Sequence, residues 1–77
     1  MDMLKNMTEK GDLNKLAGRE VIFEFHPVGN VMRVSAMDVD SLTEIAIQAP
    51  LNAGEAVFKQ NALKRLEYVL RKEGKIT

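Results

Sequence analysis

Residues 19–49 read REVIFEFHPVGNVMRVSAMDVDSLTEIAIQA, and apolar and polar side chains alternate in three segments of this stretch. The segments are residues 19–26, 31–38 and 43–49. Alternation with a period of two, among β-branched and aromatic residues, is typical of a strand with one buried face. The sequence therefore predicts three half-buried β-strands in succession.

Two short turns connect these strands and set their register. Gly29 and Asn30 occupy the two positions of a tight hairpin that favour positive φ, and residues 39–42 form the second turn. Both hairpins then pair apolar faces with apolar faces, as a sheet with one buried side requires. The predicted inner face consists of Phe23, Phe25, Val34, Ala36, Ile45 and Ile47.

Residues 53–72 follow as a predicted amphipathic helix. Asn52 is the expected N-cap, with Glu55 completing a capping box, and Gly74 ends the helix. One helix face is apolar and consists of Ala56, Phe58, Ala62, Leu63, Leu66, Val69 and Leu70. We predict an α+β fold, a three-stranded antiparallel meander with one C-terminal amphipathic helix packed on one face (β-β-β-α).

The chain of 77 residues is long enough for one domain, which we assign to residues 19–73. Residues 74–77 form a C-terminal tail. Residues 1–18 are expected to be a loosely ordered N-terminal arm. One or two short helical turns within this arm are a further possibility, because it has apolar residues at helical spacing. These apolar residues are Met3, Leu4, Met7, Leu13 and Leu16.

Composition excludes several kinds of function. The chain has no cysteine and a single histidine, so disulfides and thiolate zinc sites are excluded, and we expect neither metal nor cofactor. Its formal net charge of zero lowers the expectation of nucleic-acid binding. No apolar run approaches the roughly 20 residues of a membrane span. We expect a cytoplasmic protein with no membrane partner.

The sheet face opposite the helix is the predicted functional surface. His26, Arg33 and Gln48 fall in one cross-strand row, and Glu24 and Ser35 share the next row with Ala46. Apolar residues on this face would be exposed together, which is a mark of an interface. Together with one exposed helix residue, the candidate interaction surface is Ile22, Glu24, His26, Arg33, Ser35, Met37, Gln48 and Tyr68.

Motifs for catalysis are missing from the sequence. It contains no glycine-rich phosphate loop, no nucleophile elbow and no His-Glu pair at metal-ligand spacing. Glu24, His26 and Arg33 could act as an acid/base group only beside a concave pocket. We predict no catalytic residues and a protein that is not an enzyme.

Several short pieces carry a resemblance to a known family. They are residues 24–26 (EFH), Gly29-Asn30, residues 34–36 (VSA) with Asp38, Thr43-Glu44, Pro50 and residues 66–70 (LEYVL). Over residues 20–72 the chain resembles a small bacterial family of uncharacterised proteins, a domain of unknown function. The resemblance implies one compact domain and no assigned activity, substrate or cofactor.

The order of elements also resembles the double-stranded-RNA-binding domain. Such domains place lysines at the start of the last helix, whereas residues 52–57 here read NAGEAV, with one acid and no base. The first hypothesis is therefore a small non-enzymatic protein-interaction module that binds a partner protein or a second copy of itself. The alternative is a nucleic-acid-binding module that uses Arg33, Lys59, Lys64 and Arg65.

Overall fold

The computed structural model describes residues 5–10, 16 and 18–76, and it shows an antiparallel sheet with one helix. The elements are β1 (Lys5–Lys10), β2 (Glu20–Val28), β3 (Val31–Asp38), β4 (Thr43–Pro50), a 3₁₀ turn (Leu51–Ala53) and α1 (Glu55–Lys72). The strand order across the sheet is β1-β2-β3-β4. The predicted meander of three strands followed by a helix is confirmed by β2, β3, β4 and α1.

The predicted register is also confirmed. Phe25 lies opposite Val34, and Ala36 lies opposite Ile45. Helix α1 packs mainly over β3 and β4. The Phe25 and Phe58 rings lie 6.2 Å apart between sheet and helix. The buried core is made of Leu16, Val21, Phe23, Phe25, Val34, Ala36, Ile45, Ala49, Phe58, Ala62, Leu63, Leu66 and Leu70.

The N-terminal segment differs from the predicted helical turns where the structure describes it. Residues 5–10 form a strand that pairs antiparallel with β2, with Lys5 opposite Phe25 and Lys10 opposite Glu20. A helix of one or two turns is unstable in water, whereas the edge of β2 offers unpaired backbone groups to a strand. Leu16 is fully buried in the core. Of the other predicted arm positions, Met3, Leu4 and Leu13 lie outside the described residues.

The start of α1 also differs from the prediction. Gly54, not Asn52, is the N-cap, with φ 95° and ψ 155°. This backbone region is open essentially to glycine alone, and it lets the chain turn from the 3₁₀ segment into the helix. The Gly54 carbonyl accepts the Phe58 N–H at 3.1 Å. Ala56, in the first turn of the helix, is exposed, so its assignment to the core face is wrong.

The two hairpin turns place positive φ at one residue each. Gly29 has φ 61°, but Asn30 does not have positive φ, so the expectation of two such positions in this turn is wrong. Glycine at the first central position is the pattern of a type II′ hairpin turn. In the second turn, Leu42 has φ 59°, a left-handed conformation that is unfavourable for leucine.

Replacing Leu42 by glycine should therefore stabilise the protein. The leucine side chain is 69% exposed, so its removal loses little packing, while its left-handed backbone costs about 1 kcal/mol. We expect Leu42→Gly to raise the free energy of unfolding in urea by about 0.5–1 kcal/mol. Leu51→Gly, at an exposed position without positive φ, is the control and should destabilise. Equal losses in both variants would contradict the prediction.

Candidate functional site

The outer face, defined as the side of β2, β3 and β4 that faces away from α1, is not covered by the helix. Its predicted rows are confirmed, because His26 lies opposite Arg33 and Arg33 lies opposite Gln48. Glu24, Ser35 and Ala46 form the neighbouring row. Successive residues of a strand point to opposite faces of the sheet, so these side chains lie on the outer face and their neighbours along each strand point into the core.

The eight predicted interaction residues divide between two surfaces. Seven of them lie on the outer face, whereas Tyr68 lies on α1, on the other side of the core. Ile22 and Met37 are direct cross-strand partners on the outer face, and both are half-buried. The candidate interaction residues therefore form a sheet surface and a separate helix surface.

Val28 belongs to the outer face but was not predicted there, because it lies beyond the predicted strand of residues 19–26. It lies opposite Val31 and is 49% exposed. Its position at even spacing from Ile22 was the signal that could have identified it. The outer face thus has an apolar pair at each end, Ile22 with Met37 and Val28 with Val31. Six residue steps along β2 separate them by about 20 Å.

A shallow depression lies on the outer face and extends to Val28 of the second apolar pair. Its volume is about 530 Å³. The residues that line it are Glu24, His26, Val28, Arg33, Ser35, Glu44, Ile45 and Ala46. A smaller hollow of about 370 Å³ adjoins it and is lined by Arg33, Ala46, Ile47 and Gln48. The outer face is therefore concave along its polar middle.

The polar groups in the depression are weakly connected. Ser35 Oγ donates a hydrogen bond to Glu24 Oε1 at 3.3 Å. Among the described residues, His26 and Arg33 form no hydrogen bond or ion pair with Glu24. With Glu20, Glu24 and Glu44 against Arg33, the outer face of β2–β4 carries more acidic side chains than arginine and lysine side chains. Such a face can attract cationic groups and contact apolar ones.

A buried ion pair lies on the core side of the sheet and was not predicted. Asp38 is fully buried, and Arg19 donates from Nε to Oδ1 at 3.0 Å and from Nη2 to Oδ2 at 2.6 Å. Ser41 donates to Oδ2 from its backbone N–H at 3.1 Å and from Oγ at 2.6 Å. The sequence signal that could have revealed this pair is the position of Asp38, which alternates with Val34 and Ala36 on the inner face of β3. A buried carboxylate requires a cationic partner.

The pKa values of this pair follow from the contacts. Burial raises the pKa of Asp38, but the hydrogen bonds from Arg19 and Ser41 outweigh it and hold the pKa below its ordinary value. The hydrogen bond to Asp38 raises the pKa of Arg19 above its ordinary value. Arg19 therefore joins the start of β2 to the turn after β3 through a carboxylate that stays charged at neutral pH. This cluster is structural and lies away from the outer face.

The exposed side of α1 carries an aromatic and basic cluster. Arg65 Cζ lies 5.3 Å and Lys72 Nζ lies 5.8 Å from the centroid of the Tyr68 ring. Tyr68 is 50% exposed. Lys59 is paired with Glu55 at 3.5 Å, and Arg33 lies on the opposite surface of the molecule. The four cations of the nucleic-acid hypothesis therefore do not share one surface.

The part of the chain that the structure describes contains neither a metal-binding cluster nor a membrane-spanning helix. Within residues 5–10, 16 and 18–76, no three His, Asp or Glu side chains converge to hold a metal ion. In the same ranges, no helix combines the length and apolar character needed to cross a membrane. The outer face of the sheet is thus the main candidate site in the described ranges.

The fold defines an α+β protein with an antiparallel sheet, one covering helix and one sheet face that this helix does not cover. The chain belongs to the family described as "Domain of unknown function (DUF6898)", whose model matches residues 18–73. No curated protein and no solved structure matches the chain. The match begins at Gly18 and ends just after α1, so it covers β2 to α1.

Proposed function

We propose that this chain is a small non-enzymatic protein-interaction module that binds a partner protein through its outer face. The observation that carries the proposal is the pair of apolar patches, Ile22 with Met37 and Val28 with Val31, at the two ends of an outer face that also carries the acidic depression. A matching partner segment has two apolar side chains about 20 Å apart and lysine or arginine between them. The expected bacterial and cytoplasmic setting forms part of the proposal.

The size of the outer face sets the expected strength of binding. Three strands about 4.8 Å apart and eight residues long give a face of about 400 Å². Stable protein–protein interfaces bury about 800 Å² on each partner. One copy alone should therefore bind its partner weakly, with a Kd of about 10 μM or higher.

Catalysis and nucleic-acid binding have less support. The depression beside Glu24, His26 and Arg33 meets the condition of a concave pocket. A general acid or base also needs an oriented hydrogen-bond partner, and none of the described residues orients His26. Duplex binding needs several cations on one surface, and Arg33 and Arg65 lie on opposite surfaces. If the nucleic-acid alternative held, duplex RNA or DNA would bind measurably at about 50 mM salt and dissociate steeply with added salt.

A random peptide library tests the proposed docking surface without a known partner. Peptides of about twelve residues displayed on phage are selected on the wild-type protein and then measured as synthetic peptides by isothermal titration calorimetry. We expect enriched sequences with apolar residues flanking Lys or Arg, because these complement the apolar pairs and the acidic residues. Ile22→Lys should weaken their binding at least tenfold.

Gln60→Lys is the matched control, because it adds the same charge at an exposed position of α1. It should leave peptide binding within about twofold of the wild type. Urea denaturation of both variants shows that they remain folded. Failure to enrich any peptide, or peptides that bind Ile22→Lys as tightly as the wild type, would refute the proposed surface.

A further inference from the structure

Strand β4 lies at the edge of the described sheet, and its sequence lacks the usual protection of an edge. It is eight residues long, and its one charged side chain is Glu44. Proteins blunt such edges with lysines, bulges or internal prolines, whereas the proline here, Pro50, is the last residue of the strand. No described residue pairs with the outer edge of β4.

The hairpin at Gly29-Asn30 determines which backbone groups point outward from β4. The residues that flank a two-residue hairpin turn, here Val28 and Val31, form a hydrogen-bonded pair. Hydrogen-bonded pairs alternate along an antiparallel ladder, so the backbone groups of odd-numbered β3 residues bond to β2 and those of even-numbered residues bond to β4. The partners of those even residues are Thr43, Ile45, Ile47 and Ala49. The unpaired N–H and C=O groups on the outer edge therefore belong to Glu44, Ala46 and Gln48.

We propose that two copies of this chain pair through their β4 edges, antiparallel and across a two-fold axis at Ala46, to form one continuous eight-stranded sheet. The three outward-facing residues are self-complementary in this register. Ala46 faces Ala46 of the second copy, and Glu44 faces Gln48 of the second copy on each side of the axis. The pairing makes six backbone hydrogen bonds, two for each of the three opposed pairs.

The side chains agree with this register on both faces of the sheet. Ile45 of one copy lies opposite Ile47 of the other on the core side, where Ile47 is only half-buried in the single chain. On the outer face each Glu44 lies opposite a glutamine, so no like charges meet. A register shifted by four residues would instead place Glu44 opposite Glu44. The charge pattern thus disfavours an axis at Glu44 and is compatible with the axis at Ala46.

The position of the helix permits the same pairing. Because α1 lies over β3 and β4, joining the two β4 edges places the two helix axes about 10 Å apart, an ordinary packing distance. The paired sheet doubles the outer face to about 800 Å², which reaches the size of a standard interface on one partner. The inference goes beyond the proposed function and concerns a different surface, so either can hold without the other.

A charge exchange at Gln48 tests the register. In the paired sheet, residue 48 of each copy faces Glu44 of the other copy, so this contact occurs twice. Gln48→Lys makes both contacts oppositely charged, whereas Gln48→Glu makes both contacts like-charged. Sedimentation equilibrium from about 10 to 500 μM should give a dimer for the wild type, with a Kd at least tenfold lower for Gln48→Lys than for Gln48→Glu. Within one copy Gln48 lies opposite Arg33, so Gln48→Glu should stabilise the fold. A loss of folding therefore cannot imitate the expected result.

The absence of cysteine from the chain allows a second test. Directly opposed residues in a hydrogen-bonded pair have Cα atoms about 5.5 Å apart, within the range of a disulfide. Ala46→Cys should form a covalent dimer under mild oxidation at least tenfold faster than Gln60→Cys, which lies on the exposed helix. A monomer up to 500 μM, equal dissociation constants for the two Gln48 variants, or equal cross-linking rates would each overturn the inference.

Discussion

Arg19→Met should lower the free energy of unfolding by about 3–5 kcal/mol at pH 7, because it leaves the buried Asp38 carboxylate without its cationic partner. A domain of this length has a total stability of only about 4–12 kcal/mol. The variant should therefore be close to unfolding at physiological temperature. Urea denaturation followed by circular dichroism measures the loss.

The same substitution should change how stability depends on pH. In the wild type the pKa of Asp38 is below its unfolded value, so its contribution is present above about pH 4 and is lost as pH falls further. In Arg19→Met, burial should raise that pKa above the unfolded value, so protonation relieves the penalty as pH falls. The difference in unfolding free energy between the two proteins should shrink from pH 7 to pH 4.

Arg71→Met serves as the control for the removal of an arginine from an ion pair. Arg71 is exposed and pairs with Glu67 at 2.8 Å on the helix surface, and such a pair contributes less than about 0.5 kcal/mol. The control should show a small loss. If Arg19→Met were no more costly than Arg71→Met, or if its cost did not change with pH, the role assigned to Asp38 would be wrong.

Leu66→Ala should lower the free energy of unfolding by about 2–5 kcal/mol, since Leu66 is fully buried in the core between α1 and the sheet. Phe58→Ala should have an effect of about 3–5 kcal/mol for the same reason, because its ring is 4% exposed and lies 6.2 Å from that of Phe25. Removing these side chains leaves cavities that the sheet cannot fill by moving.

Val57→Ala is the matched control on the same helix, because Val57 is 43% exposed. It should change the free energy of unfolding by less than about 0.5 kcal/mol. Urea titrations of the three variants under one set of conditions give the comparison. Losses of similar size at Leu66 and Val57 would show that the core face of α1 had been assigned wrongly.

The sheet could be predicted from sequence because two independent hairpins had to agree on one buried face. Phe25 opposite Val34 and Ala36 opposite Ile45 each supported the same alternation, and a slip by one residue would have reversed both. Strand β1 carried no such signal, since KNMTEK has one apolar residue. Its pairing depends on the free edge of β2, which is a tertiary effect.

The remaining differences also come from interactions beyond local pattern. Asn52 is the better N-cap by type, but the turn after Pro50 places the required backbone conformation at Gly54. Arg19 and Asp38 are 19 residues apart, so their ion pair could not be inferred from spacing. The outer face was predictable because it follows from the alternation itself, whereas its concave middle depends on the three-dimensional arrangement of the strands.

Backbone amide shifts in a nuclear magnetic resonance titration test the proposed docking surface most directly. The ¹⁵N-labelled wild-type protein is titrated with the tightest peptide from the library selection. The proposal predicts that the largest shift changes occur on the outer face, at Ile22, Val28, Val31 and Met37. Changes centred instead on Arg65 and Tyr68 of α1, or no changes at millimolar peptide, would contradict it.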